Sequence, residues 1–481
     1  IGYSDDYCPL YFLVDPKANN ALDWDAAQAA QIKTAEDCFR AAAARGVDLS
    51  GYNTIENARD VEALRRALGY KQWNVWGISY GSYLGQAYLK QDPAGVRAAV
   101  IDAIVPFEQS VQFLRIALHY DRDLKLLGEA CKADALCAKH FVDSQKRLEA
   151  AIEAVRKEPI VIENAIDKES FPNGKAVLFH NLIAGAPFQA LYEQKNYGAL
   201  PAFIDALANM VEKKDYAGLR AATAQAPVET GGRGFISQGM YNAIGCNDGW
   251  VASLEAAVKQ DVAEFPALGA LQGDPKYAAE QAAMCVRNGL APRDPAWYQP
   301  LVTAIPMIVA NGQMDPITPP PLAKAIMPGL KNGTYVEFPY AGHGPTRSVK
   351  CAGEFLTKFF DNPKAPVDTS CAKSMKAPTF IGPLYETRGP LRVAEAMAAD
   401  PAKAALYMAW GGAAAFILVI GMIVYTIAPV ARFVNSDQAM TTSGARPLAW
   451  VVSMLGGVSI LGRGLARAKS SAAKVAMLLV G

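Results

Sequence analysis

The sequence carries almost no net charge: 47 lysines and arginines stand against 46 aspartates and glutamates in 481 residues. Without a surplus of positive side chains to neutralise phosphates, a nucleic-acid partner is not expected. Histidine is scarce, with four in the whole chain, so a catalytic base can be sought by elimination. None of the eight cysteines forms a CxxC motif. Cys131, Cys137 and His140 lack a fourth ligand at a recognisable zinc spacing, so neither a metal nor another cofactor is expected. No internal repeat is visible. No initiator methionine and no signal-peptide pattern open the chain at Ile1, and it stops at Gly481 just after the apolar run Val475–Val480. A piece of a longer protein is the expectation.

What is present divides the chain, whose length suits two or three modules. In residues 1–105, Ile55, Ala58, Val61, Leu64 and Leu68 recur at helical spacing from Thr54, and Gly69 follows as a stop. Trp73–Trp76 then reads as a strand, Tyr83–Lys90 as a helix and Ala98–Val105 as a second strand. Strand, helix, strand in that order predicts a parallel sheet with right-handed crossovers. Residues 106–298 lose the alternation and are Ala-rich, with long helical stretches predicted over Leu124–Val155 and Ala199–Ala222. The alternation returns in 299–375, with strands at Met307–Ala310 and Thr334–Phe338 and a helix over Cys351–Phe360. One α/β sheet interrupted by a large, mostly helical cap is the fold class expected. Residues 376–403 read as a linker.

Ala404–Ala428 runs 25 residues without a charge, roughly 37 Å as helix, enough to cross a bilayer with some tilt. A membrane anchor is therefore expected, followed by a tail over 429–481. The uncharged stretch Pro447–Gly462 is a marginal second span. With the larger part outside the cytoplasm, Arg432 and Arg446 face inward as the positive-inside rule prefers. A full second span would put Arg463, Arg467, Lys469 and Lys474 outside, which the rule disfavours. In chain order the cysteines fall into local pairs, Cys8 with Cys38, Cys131 with Cys137, Cys246 with Cys285 and Cys351 with Cys371. Sequence alone does not fix connectivity. An even count over a long chain fits an oxidising compartment, periplasmic or at the cell surface.

The chemistry centres on Gly77-Ile78-Ser79-Tyr80-Gly81, a G-x-S-x-G sequence between a predicted strand and a predicted helix. Such a turn holds a serine in strained geometry, with small residues two before and two after so that backbone can pack closely. The backbone N–H of Tyr80 then points to where an oxyanion would form. A serine hydroxyl needs a base, and the base an orienting carboxylate. His119, His140 and His180 lie in the helical block and read as surface or packing residues. His343, in the loop Ala341-Gly342-His343-Gly344-Pro345 after a strand, is the base predicted. Asp315, directly after the Met307–Ala310 strand, is the acid predicted; Asp102, at an earlier strand end, competes with it. The order Ser, Asp, His is that of α/β-hydrolases.

Two stretches carry a closer resemblance. Asn53-Thr54-Ile55-Glu56-Asn57 with Asp60, Leu64, Leu68-Gly69, Trp73-Asn74 and the serine pentapeptide resembles the tripeptidyl aminopeptidase branch of the prolyl aminopeptidase family, as does Val100-Ile101-Asp102-Ala103-Ile104-Val105-Pro106. Asn311-Gly312-Gln313-Met314-Asp315-Pro316-Ile317-Thr318-Pro319 and Gly342-His343-Gly344 resemble its C-terminal hydrolase segment. The resemblance implies Ser79 as nucleophile, His343 as general base and acid, and Asp315 as its partner. It also implies a cap that admits short peptides and holds their free amine with acidic side chains, for which Asp248 and Glu229 are candidates. The family's first strand and Gly-rich oxyanion loop have no counterpart here, so the second oxyanion N–H is expected to be missing. The function expected is a membrane-anchored serine exopeptidase acting on oligopeptides. An esterase of small acyl esters and a non-catalytic tethered binding module are the alternatives.

Overall fold

The computed structural model describes residues 23–384, interrupted at 109–110, 166–170, 172–173, 217–218, 220–236 and 293, together with 400, 402, 405–406 and 409–419. The first helix, α1 (Trp24–Ala44), starts where the Asp23 carboxylate accepts the amides of Asp25 and Ala26. In α2 (Thr54–Ala67) the Asn53 side chain caps the Glu56 amide, and Arg65 and Arg66 occupy the last turn. Gly69, at φ +75°, takes the left-handed conformation that ends the helix. The chain then runs through β1 (Trp73–Ile78), α3 (Tyr80–Gln91) and β2 (Val96–Asp102).

The helical block follows. It contains α4 (Ile116–Ala133), α5 (Ala135–His140), α6 (Ser144–Lys157), the short strands β3 (Ile160–Glu163) and β4 (Lys175–Leu178), then α7 (His180–Leu191), α8 (Leu200–Glu212), α9 (Gln238–Asp248), α10 (Leu254–Glu264) and α11 (Pro275–Arg287). The α/β alternation resumes with β5 (Met307–Gly312), α12 (Pro320–Ile326), β6 (Gly333–Phe338), α13 (Pro345–Ser348), α14 (Lys350–Asp361) and α15 (Ser370–Lys373). The described residues fall into two compact units. One takes them from Ile1–Val161, Ala176–Asp215 and Pro227–Leu384, the other from Ile162–Lys175, Tyr216–Ala226 and Tyr385–Gly481.

The first unit is organised by a four-stranded parallel sheet in the order β1-β2-β5-β6. Its inner strands read as continuous apolar runs because both faces are covered. Ala99, Ile101 and Val309 pack with Ile55, Tyr83 and Ala87 of α2 and α3 and with Ala323 and Ile326 of α12. Ala98, Val100, Ile308 and Ala310 face the other way, onto Phe355, Leu356 and Phe359 of α14. The parallel direction puts the ends of all four strands on one edge, and the register sets Ile78 beside Asp102 and Asp102 beside Ala310.

Several expectations need correction. The helix expected over Leu124–Val155 is three helices. Asp134 accepts the amides of Leu136 and Cys137 and restarts the chain, and the Cys131–Cys137 disulfide pins the bend. The block between β2 and β5 includes the strand pair β3–β4, which the Ala-rich composition concealed. The second strand ends at Asp102 rather than Val105, because Ala103 turns the chain away at φ 54°. The segment expected to open a linker at 376 is anchored: Phe380 is buried and the Ile381 amide donates to the Gly198 carbonyl. Of the span expected over 404–428, residues 409–419 are helical, and 420–428 lie outside the described residues, as does 447–462. Among the described residues no helix is long and apolar enough to cross a membrane.

The cysteine pairs follow chain order. Cys131–Cys137, Cys246–Cys285 and Cys351–Cys371 are disulfides. Cys38 is also disulfide-bonded, and Cys8 lies outside the described residues.

Candidate active site

Ser79 sits between β1 and α3 at φ 59°, ψ −123°, in a region of backbone space that costs a side-chain-bearing residue about 1–3 kcal/mol. The strain is held by hydrogen bonds on both sides. The Ser79 amide donates to the Asp102 carbonyl at 3.0 Å, and the Ser79 carbonyl accepts the Ser82 amide (2.8 Å) and hydroxyl (2.7 Å). Gly77 is demanded by packing, since a Cβ there would overlap the Gly81 carbonyl oxygen. Gly81 is not, for a Cβ on it meets open space. Only one of the two flanking glycines is therefore required sterically. Tyr80 opens α3, so its N–H has no acceptor within the helix and remains available at the positive end of the helix dipole.

Asp315 and His343 come from the loops after β5 and β6. The wholly buried Asp315 carboxylate lies 3.1 and 2.9 Å from His343 Nδ1 through its two oxygens. It also accepts the Ile317 and Thr318 amides on Oδ1 and the Thr318 hydroxyl on Oδ2. With the Thr318 proton committed there, the hydrogen between Asp315 and the ring belongs to His343 Nδ1. This tautomer leaves the Nε2 lone pair as the basic site. Burial by itself pulls the His343 pKa down. The charge and hydrogen bond of Asp315, with Asp102 adding to them, outweigh it and hold the imidazole above its usual 6.5.

The helical block presses on this pair. The His343 amide donates to the Tyr192 carbonyl at 3.0 Å, and the Tyr192 ring lies 5.0 Å from the imidazole. A Cβ on Gly342 would crowd the Leu191 and Tyr192 carbonyls and the Tyr197 hydroxyl. Tyr197 is buried with its hydroxyl 2.8 Å from the Leu191 carbonyl and 3.0 Å from that of Met314, the residue before Asp315.

Asp102 does not bond the histidine. Its Oδ2 accepts the amide (2.8 Å) and hydroxyl (2.6 Å) of Thr346, and the Trp76 indole donates to that same hydroxyl at 3.0 Å. Gly344, at φ +74°, lies so near the strand that a Cβ would come within 2.9 Å of Ile78 Cγ2. The histidine loop is thus fastened to the strand that carries Ser79. Asp102 therefore ceases to compete for the acid's place.

Asp248 is placed differently from expectation. It is fully buried at the end of α9, where its oxygens accept the Thr54 amide (3.0 Å), the Thr54 hydroxyl (2.6 Å) and the Tyr298 hydroxyl (3.3 Å). A carboxylate so occupied anchors the start of α2, and its protein donors compete with any substrate ammonium. Glu229, the other candidate, lies outside the described residues. His119 and His180 are buried and His140 is exposed, and neither buried imidazole approaches a candidate nucleophile through any described hydrogen bond. Among the described residues no cluster of histidine, cysteine, aspartate and glutamate is suited to a metal.

Sequence reasoning missed Thr318 and the Thr346 clamp. Thr318 carries a readable signal, an aspartate followed three positions on by threonine in a Pro-containing turn. The Asp102–Thr346 bond spans 244 positions and has no local signature.

Residues 30–134 match the family model described as alpha/beta hydrolase fold, and residues 274–371 that described as TAP-like protein. A tripeptidyl aminopeptidase of Streptomyces lividans is 39% identical over 101 residues, covering 20% of this chain and 18% of that protein. Serine protease Hip1 of Mycobacterium tuberculosis is 39% identical over 67 residues, 13% of each chain. This chain thus spans less than a fifth of the length of either relative. Among solved structures, MGS-M2, titled an alpha/beta hydrolase enzyme from a Medee basin deep-sea metagenome library, aligns at 13% identity over 66% of this chain and 74% of that one. The TM-score of that alignment is 0.28. Strand order, the serine turn and both matches agree on an α/β-hydrolase fold, with the TAP-like match confined to residues 274–371.

Proposed function

We propose that the chain acts as a serine hydrolase that releases short peptides or single residues from the amino ends of oligopeptides. The observation that carries this reading is that Ser79, in its φ 59° turn after β1, and the His343–Asp315 pair, on the loops after β6 and β5, stand at the same ends of the parallel strands. Ser79 Oγ attacks the acyl carbonyl while His343 Nε2 takes the hydroxyl proton. The Tyr80 N–H donates to the oxyanion that forms. As the tetrahedral adduct collapses, the C–N bond breaks and His343 returns the proton to the leaving amine. Water then repeats the sequence on the acyl-enzyme: His343 accepts its proton, the hydroxide adds, and Ser79 leaves with that proton. Asp315 keeps the imidazole in the tautomer this exchange needs.

The peptidase half of the reading draws support from the names of the relatives. The esterase alternative is favoured by one observation, the engagement of Asp248 by three protein donors, which weighs against it as an amine-binding candidate. A panel of chromogenic aminoacyl and tripeptidyl amides set against short acyl esters, with Ser79→Ala as control, separates them. Faster turnover of amides with a free amine supports the exopeptidase. Preference for esters overturns it in favour of an esterase, and no turnover of either favours a tethered binding module.

For location, we propose a catalytic part outside the cytoplasm, anchored through the apolar stretch 404–428. Three disulfides among the described residues and the length of that uncharged run support this reading. Alkylation of intact cells tests the compartment: protected cysteines agree with it, and free thiols throughout would contradict it.

A further inference from the structure

We propose that Asp102 is a positioning residue that locks the loop carrying His343 onto the strand carrying Ser79, so that base and nucleophile are held in register by one residue, through its carboxylate and its backbone carbonyl. The inference rests on the assignment of Ser79 and His343 above and concerns a residue that neither family match assigns.

The geometry is specific. Asp102 ends β2, beside Ile78 in the sheet register. Its backbone carbonyl accepts the Ser79 amide, which sets one end of the strained turn. Its carboxylate accepts both donors of Thr346, three residues after His343, and Trp76 of β1 fixes the Thr346 hydroxyl from the other side. Asp102 therefore bonds to Ser79, 23 positions before it, and to Thr346, 244 positions after it. Since a displacement of about 1 Å between reacting groups can cost on the order of a hundredfold in rate, such a tie acts on catalysis and not only on folding.

The other oxygen of the carboxyl, Oδ1, is buried with no hydrogen-bond partner among the described residues. A carboxyl kept solely for stability gains nothing from that unbonded oxygen, whereas Oδ2 alone makes the clamp. Burial pushes the Asp102 pKa up to about 7, against the pull of the Thr346 bonds, with Asp315 adding to the rise and His343 opposing it. The charged and titratable groups around the pair are Asp315 on the loop after β5, Arg347 on α13, which disfavours protonation of His343, and Tyr192 against the ring. An ionised Asp102 raises the pKa of His343.

The test compares Asp102→Asn and Asp102→Ala with the unaltered full chain, reading the rate of fluorophosphonate labelling of Ser79 across pH. Asparagine retains a carbonyl oxygen for the two Thr346 donors and puts its NH2 where Oδ1 has no partner. It should label within roughly threefold of the parent, while alanine falls by about tenfold or more. The charge removed by asparagine lowers the acid limb of the profile, because His343 then loses its proton at lower pH. A purely structural role would not move that limb. If Asp102→Ala fails to fold, the limb of Asp102→Asn and the rate of Thr346→Val, which deletes the hydroxyl half of the clamp, decide. Labelling at the parental rate by Asp102→Ala, or by Thr346→Val with an unmoved limb in Asp102→Asn, would overturn the proposal. Absence of labelling in the parent itself would instead overturn the assignment of Ser79.

Discussion

Ser79 holds a conformation that most side chains avoid, and the residues around it set what can be changed. Replacing Gly77 by alanine drives a Cβ into the Gly81 carbonyl, a backbone atom that cannot step aside. Gly77→Ala should therefore cost a few kcal/mol and abolish labelling of Ser79, whereas Gly81→Ala, facing open space, should leave stability within about 0.5 kcal/mol. Thermal unfolding of both variants checks the asymmetry, and equal losses would contradict it. His343 sets a second expectation. Its pKa stands above 6.5 and the base must be unprotonated, so kcat/KM should fall as pH drops through a value above 6.5. An acid limb well below 6.5 would mean that Asp315 does not dominate its surroundings. These residues were legible because scarcity and order did the sorting: four histidines, one in a strand-end loop, and an aspartate 28 positions before it. Thr318 leaves only a local trace, as the threonine three positions after Asp315, and Thr346 leaves none, because it acts through the folded position of Asp102.

At the level of elements, the loops after β5 and β6 are shaped by close backbone approach as well as by side chains. Gly312 would collide with the Ala341 and Gly342 carbonyls if it carried a Cβ, and Gly342 would crowd Tyr192. Each strand-end loop is thus moulded against its neighbour, and the helical block supplies the third wall through Leu191–Tyr197. The inner strands β2 and β5 were legible as apolar runs because burial on both faces leaves little alternation to misread. The long helix over 124–155 was misread because Asp134 and a disulfide between cysteines six positions apart break a pattern that composition alone continues. Asp134→Ala removes the side-chain acceptor for two α5 amides and should cost about 1 kcal/mol. Urea unfolding measures it, and an unchanged midpoint would mean that the disulfide alone sets the bend.

Across the whole molecule, disulfides and buried acids govern stability together. Cys246–Cys285 joins α9 to α11, and its removal should cost about 2–5 kcal/mol, read as a lowered Tm. Two buried groups near the site push the pH dependence in the same direction, against the buried His119, which burial lowers to about 4. His343, raised above 6.5, contributes stability that is complete below that value and lost as pH rises through its folded pKa. Asp102 moves from 3.8 to about 7, so the unfolded chain gives up its proton first, and stability falls as pH climbs between those values. Asp102→Asn has no such proton to lose, so its Tm relative to the parent should be more favourable at about pH 8 than at about pH 4. A constant difference would contradict the buried carboxyl. The α/β class and its helical interruption were legible in outline, while the strand pair within the block was hidden by a composition typical of helices. The central claim, that Ser79 is a nucleophile activated by His343, is tested most directly by mass spectrometry of the chain after exposure to a fluorophosphonate. A single adduct on Ser79, lost in Ser79→Ala and strongly slowed in His343→Ala, is the predicted result; no adduct on Ser79, or one indifferent to His343, would contradict it.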